Sequence, residues 1–164
     1  MSGSAEVTVG ERELTITRVF DAPRPLVFFA WSTPKHLMRW FAPNNFTVPE
    51  CEMDFRDGGK FRVCMRGLGR DHWMNGVYRE IVSPERIVWS AMLDNDTNEV
   101  MTTVTFTVVG GTSPRTPLHS GEGSIGRTRV TVHQSYSIET DSTRGAPQGW
   151  TETLEHLAEL LADA

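Results

Sequence analysis

The distribution of apolar and polar residues divides the chain into a β-rich body and a helical C-terminus. Residues 13–20 (ELTITRVF) alternate between apolar and polar side chains over most of their length, which is typical of a strand with one buried face. β-Rich segments follow at 47–56, 60–66, 72–82, 87–93, 99–109 and 127–138, separated by clusters of glycine, proline and aspartate. Tight turns between consecutive segments predict an antiparallel meander rather than βαβ units.

Two short helices and one long helix complete this pattern. The first short helix follows Pro23, and the second begins at Thr33-Pro34, where an N-cap residue precedes a proline at the first helical position. The long helix is predicted over 147–161, since apolar residues recur there at i, i+4, i+7 and i+11. The predicted apolar faces are Leu26, Val27, Ala30 and Trp31 in the first helix, Leu37, Met38, Trp40 and Phe41 in the second, and Trp150, Leu154, Leu157 and Leu161 in the third.

The chain is predicted to form one domain. Its 164 residues suffice for one sizeable core, and no linker or internal repeat divides them. We expect residues 1–12 to be a flexible extension of a domain that spans 13–164. The segment 110–126 (GGTSPRTPLHSGEGSIG) has almost nothing to bury, so we interpret it as a long, mobile hairpin insertion.

The hairpin around Asp57-Gly58-Gly59 indicates which face of its two strands is buried. A two-residue loop would mix the charged residues of one strand with the apolar residues of the other. A three-residue loop instead brings the apolar residues of both strands onto one face, namely Cys51, Met53, Phe55, Phe61, Val63 and Met65. Cys51 is then buried and Cys64 lies on the opposite face, so we expect no disulfide.

The hairpin around 83–86 is less decisive about its buried face. A four-residue loop places Glu80 opposite Trp89 and Tyr78 opposite Ala91. The other face is almost as apolar, so the orientation of these strands stays open, and we favour Tyr78, Glu80 and Trp89 inside. A carboxylate on an inner wall is costly unless it is paired or protonated, and such groups are often functional.

Composition and charge disfavour some classes of binding partner. Sixteen basic residues against 21 acidic ones give a net charge of −5, and the basic residues form no patch, which disfavours binding to nucleic acid. No apolar stretch is long enough to span a membrane, and the first residues do not resemble a signal peptide. We therefore expect a soluble, cytoplasmic protein with reduced cysteines.

The sequence contains no recognisable motif for metal binding or nucleophilic catalysis. Its five histidines lack metal-ligand spacing, and neither a G-x-S-x-G turn nor a G-x-G-x-x-G loop is present. We predict no cofactor and no metal. The most informative feature is the presence of five tryptophans against two tyrosines, because an indole suits both a core and a pocket wall.

Four stretches, taken in order, resemble one known family. They are RVFDAPRPLVFFAWSTPKHLMRWFAP (18–43), EMDFRDGGKF (52–61), GVYREIVSPERIV (76–88) and GAPQGWTETLEHLAELL (145–161). Together they resemble the START-like (SRPBCC, helix-grip) superfamily, in the branch named after the activator of the heat-shock-protein-ninety ATPase. The resemblance implies an α+β fold in which a curved, seven-stranded antiparallel sheet grips a long C-terminal helix and two short helices close one end.

The resemblance also implies an internal cavity between the sheet and the C-terminal helix. We expect an apolar pocket of a few hundred cubic ångströms, typical of small-molecule sites, with its mouth near Trp40, Phe41 and Phe46. The candidate ligand contacts are Trp31, Trp40, Phe41, Phe46, Met53, Val63, Met65, Tyr78, Glu80, Trp89, Trp150 and Leu154.

Three functions fit such a cavity, and the sequence leaves the choice between them open. The first, which we favour, is binding of a small apolar ligand. The second is an aromatase/cyclase-type reaction, in which Glu80 or Tyr78 assists as an acid or base. The third is a co-chaperone-like role, in which the protein binds a protein partner in the stress response. The sequence identifies neither the ligand nor the oligomeric state.

Overall fold

The computed structural model describes residues 5–93, 98–109 and 126–162. Eight antiparallel strands form one sheet in the order β1-β2-β8-β7-β6-β5-β4-β3. The strands are β1 (Glu6–Gly10), β2 (Glu13–Phe20), β3 (Thr47–Met53), β4 (Lys60–Gly67), β5 (Arg70–Val82), β6 (Arg86–Leu93), β7 (Val100–Val109) and β8 (Arg127–Tyr136). The helices are α1 (Arg24–Ser32), α2 (Pro34–Leu37) and α3 (Asp141–Ala162). This architecture confirms an α+β fold with a large antiparallel sheet and a C-terminal helix.

The sheet follows the chain as a meander from β3 to β8, and β2 and β1 then extend it on the far side of β8. The predicted insertion at 110–126 falls almost entirely outside the described residues. Within the described ranges, no helix combines the length and the apolar composition that a membrane span needs.

The sheet has eight strands rather than the predicted seven, because Glu6–Gly10 form an additional edge strand. This strand, β1, pairs with β2 across a turn in which Arg12 has a φ of 55°. Every residue of β1 is exposed, so the strand adds backbone hydrogen bonds without burying a side chain. Because no side chain of β1 is buried, its sequence does not mark it as a strand of the core sheet. This is why residues 1–12 were predicted to be an extension of the domain.

Helices α1 and α2 connect the two halves of the sheet. α1 contacts β7 and β8, whereas α2 contacts β3. Val27, Ala30 and Trp31 of α1 are buried as predicted. Leu26 is 38 % exposed, contrary to the prediction, and Phe28 is buried in its place. α2 is only one turn long, and the chain after it continues in turns rather than in the longer helix predicted.

The hairpin between β3 and β4 has the predicted buried face but a longer loop. Cys51 lies opposite Val63 and Met53 lies opposite Phe61, so the apolar residues of both strands face inwards. The connection spans 54–59 instead of the predicted three residues. Partners are therefore shifted by two positions, and a shift of two preserves the face on which each side chain lies.

The two cysteines lie on opposite faces of the sheet and are not bonded to each other, as predicted. Cys51 is only half-buried, however, whereas Cys64 is completely buried. Burial raises the pKa of the Cys51 thiol to about 11, and Glu52 adds to the rise. Burial also raises the pKa of Cys64, with a further contribution from Asp71. Both thiols are protonated at neutral pH and are poor nucleophiles.

A β-bulge at Arg79 decides the orientation of the β5–β6 hairpin. Tyr78 lies opposite Trp89 and Glu80 lies opposite Val88, so the predicted pairing of Tyr78 with Ala91 and of Glu80 with Trp89 is wrong, and the register shifts between Tyr78 and Glu80. Because a bulge turns an extra residue out of the alternation, Glu80 faces solvent and forms an ion pair with Arg86 at 3.0 Å. Tyr78 and Trp89 are buried as predicted, whereas the prediction that Glu80 lies inside is wrong.

Gly76 in β5 leaves room for an aromatic ring on the inner face. A Cβ at this position would collide with Cζ of Phe61 and would lie 2.6 Å from the carbonyl oxygen of Ser90. We therefore expect Gly76→Ala to lower the free energy of unfolding by about 2 kcal/mol, measured by urea denaturation. The control is Gly145→Ala, where a Cβ meets nothing within 4 Å and stability should be retained or raised. An unchanged midpoint for Gly76→Ala would contradict the close packing at Phe61.

Helix α3 begins at Asp141, six residues before the predicted start at 147. Two hydrogen bonds cap its first turn: the Thr140 N–H donates to Thr143 Oγ1 (2.8 Å), and the Thr143 N–H donates to Thr140 Oγ1 (3.3 Å). Pro147 consequently lies inside the helix rather than in its first turn. The predicted apolar face is buried at Trp150, Leu154 and Leu157.

Candidate functional site

Aromatic side chains fill most of the interior between strands β4–β6 and the two short helices. A cavity lies among them, with an enclosed volume of about 20 Å³ in a cleft that holds about 320 Å³ when the open space at its mouth is included. The enclosed part accommodates one water-sized group. In the described part of the chain, this cavity is much smaller than the predicted preformed pocket of a few hundred cubic ångströms. The lining residues are Trp31, Leu37, Phe41, Phe61, Val63, Met74, Tyr78, Ile87 and Trp89.

Trp31 of α1 is the centre of the aromatic cluster that fills this space. Its ring stacks on Trp150 of α3, with centroids 6.0 Å apart and an angle of 16° between the planes. It also packs edge-on against Trp40 at 4.7 Å and against Phe106 of β7 at 5.8 Å. The first helix, the last helix and the sheet therefore meet at one side chain, which fixes the orientation of the Trp31 ring.

The two neighbouring indoles differ in their hydrogen bonding. Trp40 Nε1 donates to the carbonyl oxygen of Ala30 at 3.1 Å. Trp31 is only 2 % exposed, and none of the protein groups that the structure describes accepts a hydrogen bond from its Nε1–H. A buried donor without an acceptor is uncommon and costs about 1–3 kcal/mol. This donor belongs to a residue of the cavity wall, so Trp31 is the leading candidate for a polar ligand contact.

Tyr78 adds a hydroxyl to the polar groups of the lining side chains, beside the indole N–H groups of Trp31 and Trp89. Its ring packs between Phe55 and Phe61, with centroid distances of 5.0 and 4.9 Å. Burial raises the pKa of the Tyr78 hydroxyl, and Cys51 adds to the rise. The phenol is therefore neutral at physiological pH, where it can form hydrogen bonds but is a poor base. None of the nine lining residues carries a charge at that pH.

Only part of the predicted set of ligand contacts lines the cavity. The residues that do are Trp31, Phe41, Val63, Tyr78 and Trp89. Those that are buried in the surrounding core are Trp40, Trp150 and Leu154. Those that are partly buried against that core are Met53 and Met65.

Phe46 and Glu80, the remaining candidates, are not among the lining residues. The Phe46 ring lies over Gly67, 5.6 Å from the ring of His72, and so covers the end of β4 instead of the predicted mouth. Glu80 faces solvent, where a hydrogen bond from the Arg86 guanidinium holds the pKa of its carboxyl below the usual range. Glu80 is therefore no acid or base for this cavity.

Four lining residues were absent from the predicted contacts, namely Leu37, Phe61, Met74 and Ile87. Each has a signal in the sequence. Leu37 and Phe61 belong to predicted apolar faces, Met74 shares the two-residue period of Tyr78, and Ile87 shares that of Trp89. These positions were identifiable as interior, but alternation alone does not separate a cavity wall from a packed core.

Polar contacts fix the loop after α2 to helix α3 beside the aromatic cluster. The Nδ1 and Nε2 atoms of His156 each lie 2.7 Å from an oxygen of this loop, the first from the Ala42 carbonyl and the second from Asn44 Oδ1. The Asn44 N–H donates to Glu152 Oε1 at 3.0 Å. Hydrogen bonds from Gln148 and from this N–H hold the pKa of Glu152 below its usual range.

Solved structures from three bacteria share this fold. A protein from Rhodobacter sphaeroides is 22% identical, with a TM-score of 0.78 over 99% of this chain and 100% of that one. A protein from Nitrosomonas europaea is 22% identical, with a TM-score of 0.76 over 95% and 97%. A protein from Chromobacterium violaceum is 26% identical, with a TM-score of 0.73 over 91% and 96%. No curated protein matches the chain.

These structures show the fold alone, whereas a family model assigns the chain to a protein family. The model described as activator of Hsp90 ATPase homolog 1-like protein matches residues 21–162. The match includes both short helices, the strands from β3 to β8 and helix α3. The resemblance to the START-like superfamily is thereby confirmed, and the chain belongs to the activator of Hsp90 ATPase homolog 1-like family.

Proposed function

We propose that this protein binds a small, flat and largely apolar molecule at the cavity around Trp31. The observation that carries the proposal is the composition of the wall, in which nine apolar or aromatic side chains surround a void and carry only three polar groups, namely the indole N–H groups of Trp31 and Trp89 and the hydroxyl of Tyr78. Small-molecule sites typically combine an apolar wall with a few polar groups of this kind.

The ligand needs more space than the enclosed 20 Å³, so binding requires parts of the wall to move. On one side, the wall is built by α1 and α2, which have nine and four residues. On the other side it includes Met74, which is partly buried and whose unbranched side chain adapts readily to new surroundings. The conformation seen in the structure is, in this proposal, a closed one, from which a ligand selects or induces an open one.

The wall favours binding over an aromatase/cyclase-type reaction. General acid–base catalysis is most effective when the pKa of the group lies near the working pH. Burial moves the pKa of Tyr78 upwards, away from neutrality, and Glu80 is outside the cavity. The remaining lining residues have no group that titrates near neutral pH.

Docking of a protein partner is a second candidate, favoured by the combination of a nearly filled interior with apolar side chains on the surface. Leu26 and Phe29 of α1 are 38 % and 47 % exposed. In that case the aromatic cluster would be a structural core and α1 would form part of the docking surface. The two candidates differ in whether a small apolar molecule enters the interior.

Titration with N-phenyl-1-naphthylamine, an uncharged probe that fluoresces in apolar surroundings, tests the proposed function. We expect saturable binding of one probe per chain. Met74→Trp, which adds bulk to the cavity wall, should weaken binding at least tenfold, because the bicyclic side chain takes the space of the ligand.

The matched control is Met92→Trp, at a residue of the neighbouring strand that is 40 % exposed; it should bind like the wild type. Circular dichroism verifies that both variants are folded. The proposal fails if the wild type shows no saturable binding, or if Met74→Trp and the wild type bind the probe equally well.

A further inference from the structure

We infer that the ligand is uncharged and carries a hydrogen-bond acceptor, which the Nε1–H of Trp31 recognises. This inference rests on the proposed function and names the ligand class: a planar aromatic molecule with a ring nitrogen or a carbonyl oxygen. Trp31 would thereby select ligands that carry such an acceptor over ligands of the same shape that lack one.

The position of Trp31 is the first step of the argument. Its side chain is 98 % buried, lines the cavity and has no acceptor for its Nε1–H within the described part of the chain. The stacking on Trp150 and the edge contact with Trp40 leave the ring little freedom to turn towards another acceptor. Trp40, which is equally buried, donates to the Ala30 carbonyl and needs no ligand.

A bound water is the competing acceptor for this donor. The enclosed volume of about 20 Å³ admits one water molecule. Buried waters typically make about three hydrogen bonds, and the polar groups of the lining side chains are the indole N–H groups of Trp31 and Trp89 and the Tyr78 hydroxyl. A ligand that supplies its own acceptor displaces such a water without leaving the Trp31 N–H unpaired.

The second property of the ligand, its lack of charge, follows from the absence of charged side chains in the cavity wall. None of the nine lining side chains is ionised at neutral pH, so a carboxylate or an ammonium group entering the cavity would lose its hydration without gaining a counterion. Burial of an unpaired charge is far more costly than burial of a neutral acceptor. The acceptor is therefore a neutral nitrogen or oxygen atom.

The comparison of naphthalene with quinoline isolates the hydrogen bond. Both are flat bicyclic molecules of nearly the same shape, and quinoline replaces one C–H by a nitrogen acceptor and is uncharged above neutral pH. Their dissociation constants are measured by displacement of N-phenyl-1-naphthylamine from the wild type, Trp31→Phe and Trp40→Phe. The ratio of the two constants cancels differences in packing and stability between the proteins.

We expect the affinity for quinoline relative to naphthalene to fall about tenfold in Trp31→Phe, which corresponds to the loss of one buried hydrogen bond. Trp40→Phe should leave the ratio unchanged, because the Trp40 N–H is occupied by Ala30. An unchanged ratio in Trp31→Phe, with naphthalene still bound, overturns the inference and leaves the proposed function intact. Failure of naphthalene to bind the wild type overturns both.

Nuclear magnetic resonance of the wild type provides a readout that does not depend on the folding of any variant. Both ligands should shift the indole N–H proton of Trp31 through their aromatic rings, but the proton should lie further downfield with quinoline than with naphthalene, as expected when an N–H gains an acceptor. Equal shifts with both ligands would overturn the inference.

Discussion

Replacing Leu154 by alanine should lower the free energy of unfolding by about 3 kcal/mol, a value within the range found for leucine-to-alanine changes in cores. Leu154 has no exposed surface, and it lies on the face of α3 that is buried in the core. The substitution leaves a cavity that the surrounding strands and rings fill only in part. Urea denaturation measures the loss.

The control for Leu154→Ala is Glu159→Ala, an exposed position on the same helix, which should change stability by less than about 0.5 kcal/mol. A loss below about 1 kcal/mol for Leu154→Ala would mean that α3 is not packed against the sheet as the structure shows. In that case Trp31 would lack one of the contacts that fix the orientation of its ring.

The second large effect concerns the ion pair between Arg18 of β2 and Glu155 of α3. Arg18 lies on the inner face of the sheet and is 6 % exposed, whereas Glu155 is 54 % exposed, and Arg18 Nη1 lies 2.6 Å from Glu155 Oε1. We expect Glu155→Ala to cost about 2 kcal/mol, because it takes a carboxylate away from a buried guanidinium. Arg18→Met should cost less than about 1 kcal/mol, because it leaves Glu155 in water and replaces the arginine by an apolar side chain of similar length.

Thermal and denaturant unfolding of Glu155→Ala and Arg18→Met measure the difference between the two losses of stability. Glu152→Ala is a less suitable control because Glu152 accepts a hydrogen bond from Asn44, so Glu159→Ala serves again. A larger loss for Arg18→Met than for Glu155→Ala would contradict the view that desolvation of the guanidinium dominates the energetics of this contact.

Alternation along the chain was sufficient to find the elements with one buried face. It located the strands from β2 to β8 within a few residues, and the face shared by Cys51 and Phe61 followed from the same rule. The periodicity of Trp150 and Leu154 likewise identified the buried face of α3. These features depend on neighbours that are close in sequence, which is why the sequence predicts them.

Three features depend on information that alternation does not contain. The strand β1 is held by backbone pairing alone, without a buried face. The bulge at Arg79 interrupts the alternation and turns Glu80 outwards, although the residues on either side still fit a regular strand. The extent to which the rings of Trp31 and Trp150 fill the interior depends on how distant segments meet. The sequence therefore predicted several of the residues that line the cavity, but it did not predict the volume of the cavity.

The five indole N–H resonances of the protein provide the most direct test of the proposed binding of a small apolar molecule at the aromatic cavity. Trp31 and Trp89 line the cavity, whereas Trp73 pairs with Cys64 and stacks with Arg62, whose Cζ is 4.0 Å from the ring centroid. On addition of naphthalene, the account predicts saturable shifts of the Trp31 and Trp89 resonances and no shift of Trp73. Unchanged resonances at saturation with naphthalene, or a shift of Trp73 as large as that of Trp31, would contradict it.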